Sequence, residues 1–284
     1  MFALNDVVFS YGADRPPALR GLTFSAPAGS FTALMGASAS GKSTWAKLLN
    51  AILLPQAGEI LIDGLSTAAA ENRALIRRRV SLVSQNPDDQ IVATTVEEDV
   101  AFGPGNLGLP ATEVRERTDE ALRLTGLESL RFKDVGRLSG GQKQKLALAG
   151  ALALRPKALV LDEATAMLDP AGRDEILDMV CALRRRKNLT VFWCTHRAEE
   201  ALRAERLVVL RGGAIALDGA PAEILSRPDI AGYGILPPPC GILLQKLAAA
   251  GCLAPERPAL SPESCAGALA ALWARRERKE DHGF

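Results

Sequence analysis

The chain has 284 residues, enough for one large domain or two, and its 48% hydrophobic and 24% charged residues are those of a globular rather than a disordered protein. Its 34 Lys and Arg against 33 Asp and Glu leave a net charge of +1, so no overall field draws it to nucleic acid or anionic lipid. Five cysteines, none in Cys-x-x-Cys spacing, argue against a disulfide framework and a zinc site and fit a reducing compartment.

The opening residues, Met1 to Tyr11, lack a basic segment followed by an apolar run, so no signal peptide is expected. No apolar run approaches the roughly 18 residues of a membrane span; the richest, Leu146 to Leu154, stops at Arg155. These features predict a cytoplasmic chain that reaches a membrane only through a partner. Along the chain, short β-rich runs alternate with helical patterns. Residues 4–9, 22–25 and 31–35 read as strands and 42–51 as the first helix, and a strand at 59–62 runs into the Asp63-Gly64 turn. Buried strands are expected at 80–84, 158–162 and 190–194, apolar on both faces as a covered parallel sheet requires. Between Gln85 and Arg155 the pattern is mostly helical, for example over 111–124, which reads as a helical insertion into an α/β core. Asp169 before Pro170 is an acceptor cap followed by proline at the first helical position. Residues 207–210 and 214–217 flank Arg211-Gly212-Gly213 as a hairpin. A break at Leu236-Pro237-Pro238-Pro239 sets off a tail in which Ser261-Pro262 starts a helix ending in the mixed charges of Arg275 to Asp281.

Three motifs carry chemistry. Gly36-Ala37-Ser38-Ala39-Ser40-Gly41-Lys42-Ser43, followed by Thr44, fits G-x-x-x-x-G-K-[ST] between a strand and a helix. Small residues let backbone N–H groups curl around phosphate oxygens at the positive end of the helix dipole. Lys42 can reach the β- and γ-phosphates, and the Ser43 hydroxyl can ligate Mg²⁺. Ala39 stands where many such loops carry glycine, and its methyl is expected to strain a positive-φ conformation. The apolar strand ending in Asp162-Glu163 supplies two adjacent carboxylates, Asp162 for the Mg²⁺ shell and Glu163 as general base for an attacking water. Leu138-Ser139-Gly140-Gly141-Gln142 precedes a helix read over 142–154, making a second anion site of hydroxyl, N–H groups and dipole. One P-loop ATPase does not need two phosphate sites, whereas two copies packed head to tail do.

At that point the chain resembles the ABC ATPases, in which LSGGQ completes the partner's nucleotide site. The resemblance implies a P-loop NTPase (RecA-like) α/β core with an antiparallel β subdomain, a helical signature subdomain over about 86–155, and a small C-terminal extension over 229–284 after an ATPase domain of 1–228. It also implies ATP and Mg²⁺ as ligands. Gln85 matches the family's Q-loop, His196 the histidine that bonds the γ-phosphate, Asp169 the D-loop at the dimer interface, and Tyr11 the aromatic that stacks on adenine. Lys145 stands where arginine is usual after the signature, keeping the charge and losing the bidentate fork. The stretches Gln85 to Gln90, Thr95 to Gly103 and Asp162 to Pro170 are similar to ATPase subunits of energy-coupling-factor transporters, over about residues 3–228. That similarity implies a second ATPase subunit, identical or paralogous, an integral-membrane scaffold and a small substrate-binding membrane protein. It places the chain at the cytoplasmic face of the membrane, energising uptake of a vitamin or a cobalt or nickel ion. The tail is similar, loosely, to an extension that helps hold the ATPase pair together. Of the rival classes, a chromosome or DNA-repair ABC ATPase usually inserts long coiled coils between loop and signature, and a GTPase would want an Asn/Thr-Lys-x-Asp guanine-reading motif; neither is present. A catalytically silent ABC subunit is harder to exclude, but such subunits often lose the base or the histidine, and Glu163 and His196 are both present.

Overall fold

The computed structural model describes residues 1–250, 252, 260, 265–271 and 273. Strands β1 (Phe2–Phe9) and β2 (Leu19–Ala26) pair antiparallel, and β3 (Phe31–Gly36) runs through the phosphate loop into α1 (Lys42–Leu49). Strands β4 (Ala57–Ile62) and β5 (Leu65–Ser66) return to the first pair, completing an antiparallel sheet in the order β2-β1-β4-β5. Helix α2 (Ala70–Arg79) feeds β6 (Val80–Val83). The chain then leaves the sheet for α3 (Val96–Asn106), α4 (Ala111–Thr125) and α5 (Gly140–Ala153) and re-enters at β7 (Ala158–Asp162). Helix α6 (Pro170–Lys187) leads to β8 (Thr190–Cys194), and the short α7 (Ala198–Ala201) to β9 (Arg206–Arg211). Strand β10 (Ala214–Gly219) closes a hairpin, followed by α8 (Pro221–Leu225) and α9 (Pro239–Ala249). The larger sheet has the order β10-β9-β3-β8-β7-β6, parallel from β9 to β6 with β10 antiparallel at its edge.

Side chains alternate across a strand, so a sheet covered on both faces needs apolar residues throughout. In β8, Val191 and Trp193 enter the core beneath α5 and α6, while Phe192 and Cys194 face the core shared with α1 and the antiparallel sheet. Leu159 and Leu161 of β7 divide from Ala158 and Val160 in the same way. A third core, with Val96, Val100, Leu122, Leu146 and Ala149, holds α3 to α5 together. The carbonyl ends of the central strands are level, with Leu34 beside Cys194 and Cys194 beside Asp162. The phosphate loop, Gln85, the Asp162-Glu163 pair and His196 therefore follow strands of the parallel sheet at one edge, where open α/β sheets bind ligands.

The boundaries differ from the sequence reading in instructive places. Helix α1 ends two residues before 51, because Ala51 turns into the left-handed region at φ 54°. Strand β6 stops at Val83 rather than 84. Gln90 takes over as a strand mimic, its Oε1 accepting from Ser84 N at 2.8 Å and its Nε2 donating to Leu82 O at 2.8 Å. Helix α5 begins at Gly140 rather than 142, since Ser139 is its cap and the two glycines form its first turn. The Thr95-x-x-Glu98 capping box that starts α3 is a sequence signal the reading did not use. Beyond residue 228 the chain stays in the core, with Ile230 and Ile235 buried in the same cluster as Val191 and Trp193. In the tail, residues 265–271 and 273 are helical, while the expected start at Ser261-Pro262 and the charges from Arg275 to Asp281 lie outside the described residues.

Candidate nucleotide site

A cavity of about 610 Å³ opens over the level strand ends, lined by Tyr11, residues 38–44, Gln85, Glu163 and His196. Its floor is the phosphate loop. Gly36 and Gly41 adopt φ of 148° and 109°; a Cβ on Gly36 would meet Leu210 O at 2.4 Å, and one on Gly41 would meet Ala18 O at 2.8 Å. Ala39 sits at φ 60°, so the strain expected of its methyl is present. No side chain caps α1, which leaves its first-turn N–H groups to a ligand. Lys42 is buried, its Nζ donating to the carbonyls of Gly36 at 3.0 Å and Ala37 at 3.3 Å.

The charges around the loop are poised for ions. Burial pushes the Lys42 ammonium below its usual value, opposed by the Glu163 and Asp162 carboxylates. Burial likewise lifts the Asp162 carboxyl above the usual range, while a hydrogen bond from the Ser43 hydroxyl pulls it down. Asp162 Oδ1 and Ser40 Oγ are buried with no hydrogen-bond partner. A buried oxygen of this kind is expensive unless a ligand meets it. These residues fit a divalent cation, which Asp162 and Ser43 would hold, and a phosphate, which Lys42 and the loop amides would hold. Glu163 itself has φ 53°, and its Oε1 lies 2.7 Å from His196 Nε2, a contact that needs the proton on Nε2. Tyr11 stands at the mouth, 54% exposed, edge-on to Phe9, with its hydroxyl 3.1 Å from Thr44 Oγ1.

Ser139, Gly140, Gly141, Gln142 and Asp169 are not among the residues lining this cavity. They share another surface, where Met167 and Leu168 pack against the start of α5; a Cβ on Gly141 would lie 3.2 Å from Leu168 Cδ2. Asp169 caps α6, its Oδ1 accepting from Gly172 N at 2.7 Å. The structure thus separates two groups of residues that the sequence reading assigned to nucleotide binding. Lys145 pairs with Glu175 at 2.7 Å, a one-point contact for which an ammonium suffices. The sequence reading missed the Gly212-Gly213 turn, which lines the cavity and ties the loop to β2 through Gly213 N to Ser40 O at 3.2 Å and Arg20 N to Gly213 O at 2.8 Å. Its glycine pair was visible, but only as a hairpin signal.

This loop, carboxylate pair and detached signature, on a parallel core with an antiparallel subdomain, define an ABC-type P-loop ATPase cassette. The model of the ABC transporter family matches residues 19–166. Two solved structures share the fold. The cbiO1 protein of Clostridium perfringens, part of the ABC transporter complex cbiONQ, is 31% identical with a TM-score of 0.75, covering 89% of this chain and 98% of that one. The ATP-binding cassette MJ0796, in a dimeric post-hydrolysis state with ADP and Pi, is 29% identical with a TM-score of 0.72, covering 78% and 98%. The energy-coupling factor transporter ATP-binding protein EcfA1 of Symbiobacterium thermophilum is 48% identical over 91% of this chain and 90% of its own length. Its Clostridioides difficile counterpart is 46% identical over 79% and 82%. The chain belongs to the family of energy-coupling factor transporter ATP-binding proteins. Among the described residues, no helix is long and apolar enough to cross a membrane.

Proposed function

We propose that the chain binds and hydrolyses ATP with Mg²⁺ as one of two ATPase subunits energising an energy-coupling-factor importer for a vitamin or a cobalt or nickel ion. The observation carrying this reading is the separation of Ser139 to Gln142 from the chain's own phosphate loop, which leaves each loop to be covered by a partner's signature. Lys42 and the first-turn amides of α1 hold phosphate oxygens. Water attacks the γ-phosphorus, the bond to the ADP oxygen breaks, and Glu163 takes the water's proton while His196 holds that carboxylate in place. Ser43, Gln85 and Asp162 are the residues to hold Mg²⁺, which neutralises charge on the phosphate oxygens when bound. Tyr11 offers its ring to adenine. ATP bridging two half-sites favours closure of the pair, and loss of the γ-phosphate removes the bridge.

Coupling to a membrane scaffold has a surface available. Ile52, Val92 and Phe102 are exposed and line a groove of about 580 Å³ with Gln90, the residue that shapes the strand end before Gln85. Residues 1–228 are read as the ATPase domain, with a helical subdomain over about 86–155. Residues 229–284 are read as an extension that steadies the pair, a role supported by exposed Leu236, Leu243 and Leu269. The test is a tagged Glu163→Gln chain, trapped with ATP and purified from detergent-solubilised membranes of its own cells. The assembled complex should hydrolyse ATP about a hundredfold or more slower than the parent. It should carry a multi-span scaffold and a small vitamin- or metal-binding membrane protein. Hydrolysis at the parental rate removes the base assignment, and recovery of only soluble or DNA-associated partners removes the transport reading.

A further inference from the structure

The catalytic carboxylate occupies a backbone conformation that side chains other than glycine rarely adopt, with Glu163 at φ 53°. Such strain persists only where the surroundings over-determine it. Part of the restraint is backbone: Glu163 N donates to Cys194 O at 3.0 Å, and Ala166 N to Glu163 O at 3.0 Å. The rest converges on one buried side chain. Glu200, on α7 and 5% exposed, accepts three hydrogen bonds from two segments, the loop after β7 and the end of β8. Its Oε1 accepts from Thr165 Oγ1 at 2.8 Å, and its Oε2 from Trp193 Nε1 at 2.9 Å and Thr195 Oγ1 at 2.6 Å. All three donor residues are themselves buried.

The positions of those donors matter. Thr165 follows Glu163 by two residues, and Thr195 immediately precedes His196. Thr195 is tied further, its N donating to Leu34 O on the phosphate-loop strand at 3.0 Å and its Oγ accepting from Arg197 N at 3.0 Å. We infer that Glu200 is a positioning residue that locks the Glu163 loop to the His196 loop, holding the base and its histidine in register at their 2.7 Å contact. A carboxylate suits the task because its two oxygens receive three donors at once and need no proton of their own. Full satisfaction by short bonds is also what makes a buried carboxylate tolerable.

The inference rests on the ATPase reading above, so the experiment separates the two. ATP turnover and KM are measured in the transporter complex purified from its own membranes, for the parent, Glu163→Gln, His196→Ala, Glu200→Ala, Glu200→Gln, Thr165→Val and the His196→Ala/Glu200→Ala pair. Misplacing a catalytic group by a fraction of an ångström is expected to lower kcat of Glu200→Ala by about tenfold or more, with KM for ATP within about twofold. Glu200→Gln should recover most of the rate. Its amide oxygen can face Trp193 and Thr195 while its amide nitrogen donates to the Thr165 hydroxyl, which is free to accept. The double variant should be no more than about twofold slower than the slower single, because both act on one contact. Thr165→Val, which removes only the link to the Glu163 loop, should lower kcat without moving KM, and it decides the matter if Glu200→Ala does not fold. Parental kcat in folded Glu200→Ala or in Thr165→Val, or a rise in KM alone, overturns the inference while leaving the ATPase reading intact if the parent is active and Glu163→Gln is not. A parent complex with no ATPase activity removes both.

Discussion

Two helices of this chain begin on turns rich in glycine and serine, and they treat their first-turn N–H groups in opposite ways. Helix α1 starts from Gly41 with no side-chain cap, and the buried Lys42 ammonium lies beside its open end. Helix α5 starts from Ser139, whose Oγ accepts from Gln142 N at 3.2 Å while Gln142 Oε1 accepts from Ser139 N at 3.1 Å. The first start has no side-chain cap, and the nearby Asp162 Oδ1 and Ser40 Oγ are buried without a hydrogen-bond partner. The second closes on itself and stands at the surface, satisfied until something displaces it. On the proposed function, a primary phosphate site has to exist in each subunit before ATP arrives, whereas a completing site is needed only once two subunits meet, and the two helix starts differ in that sense.

That contrast can be broken by experiment, and the largest effect is expected at α1. Lys42→Ala removes the buried cation facing the phosphates and should weaken ATP binding by the isolated chain about thirtyfold or more, from a loss of roughly 2 kcal/mol or above. Titration calorimetry reads this directly, and an unchanged affinity would mean the loop amides alone carry binding. Ser139→Ala should act differently. In the isolated chain it costs about 1 kcal/mol of stability through the lost cap, visible as a lower thermal midpoint, with ATP affinity within about twofold. Its effect on turnover should appear only in the assembled complex. Loss of ATP affinity in the isolated chain would put the signature in the chain's own site and end the comparison. The smallest effect is expected from Ala39→Gly. Relief of the left-handed strain and the added freedom of the unfolded chain oppose each other, leaving a net gain under about 1 kcal/mol. A clear fall in the thermal midpoint would mean the Ala39 turn carries no strain.

Much of the site was legible because its chemistry is contiguous. The phosphate loop, the Asp162-Glu163 pair and Ser139 to Gln142 each lie within a few successive residues, and their local geometry follows from residue type. The alternation of apolar residues that made β7 and β8 readable as covered strands reflects the same locality. What escaped the reading acts across segments. Gln90 imitates a strand six residues from the backbone N–H it satisfies, Gly213 braces a loop more than a hundred and seventy residues earlier, and Glu200 joins Thr165 to Thr195. Nothing in an isolated glutamate four positions beyond a histidine announces a carboxylate buried beneath the base.

By itself the sequence determined the motifs of this protein and its class: the G-x-x-x-x-G-K-S loop, the adjacent carboxylates Asp162 and Glu163, and the Ser139 to Gln142 helix start. The tertiary structure decided which of them meet. Strand order placed β8 between β3 and β7, so the loop, the carboxylates and His196 share one edge, while the insertion between β6 and β7 carried Ser139 elsewhere. The reason is physical. Residue type and local spacing set backbone conformation and chemistry over a few residues, but distance between segments depends on how the sheets and cores pack, which no local pattern encodes.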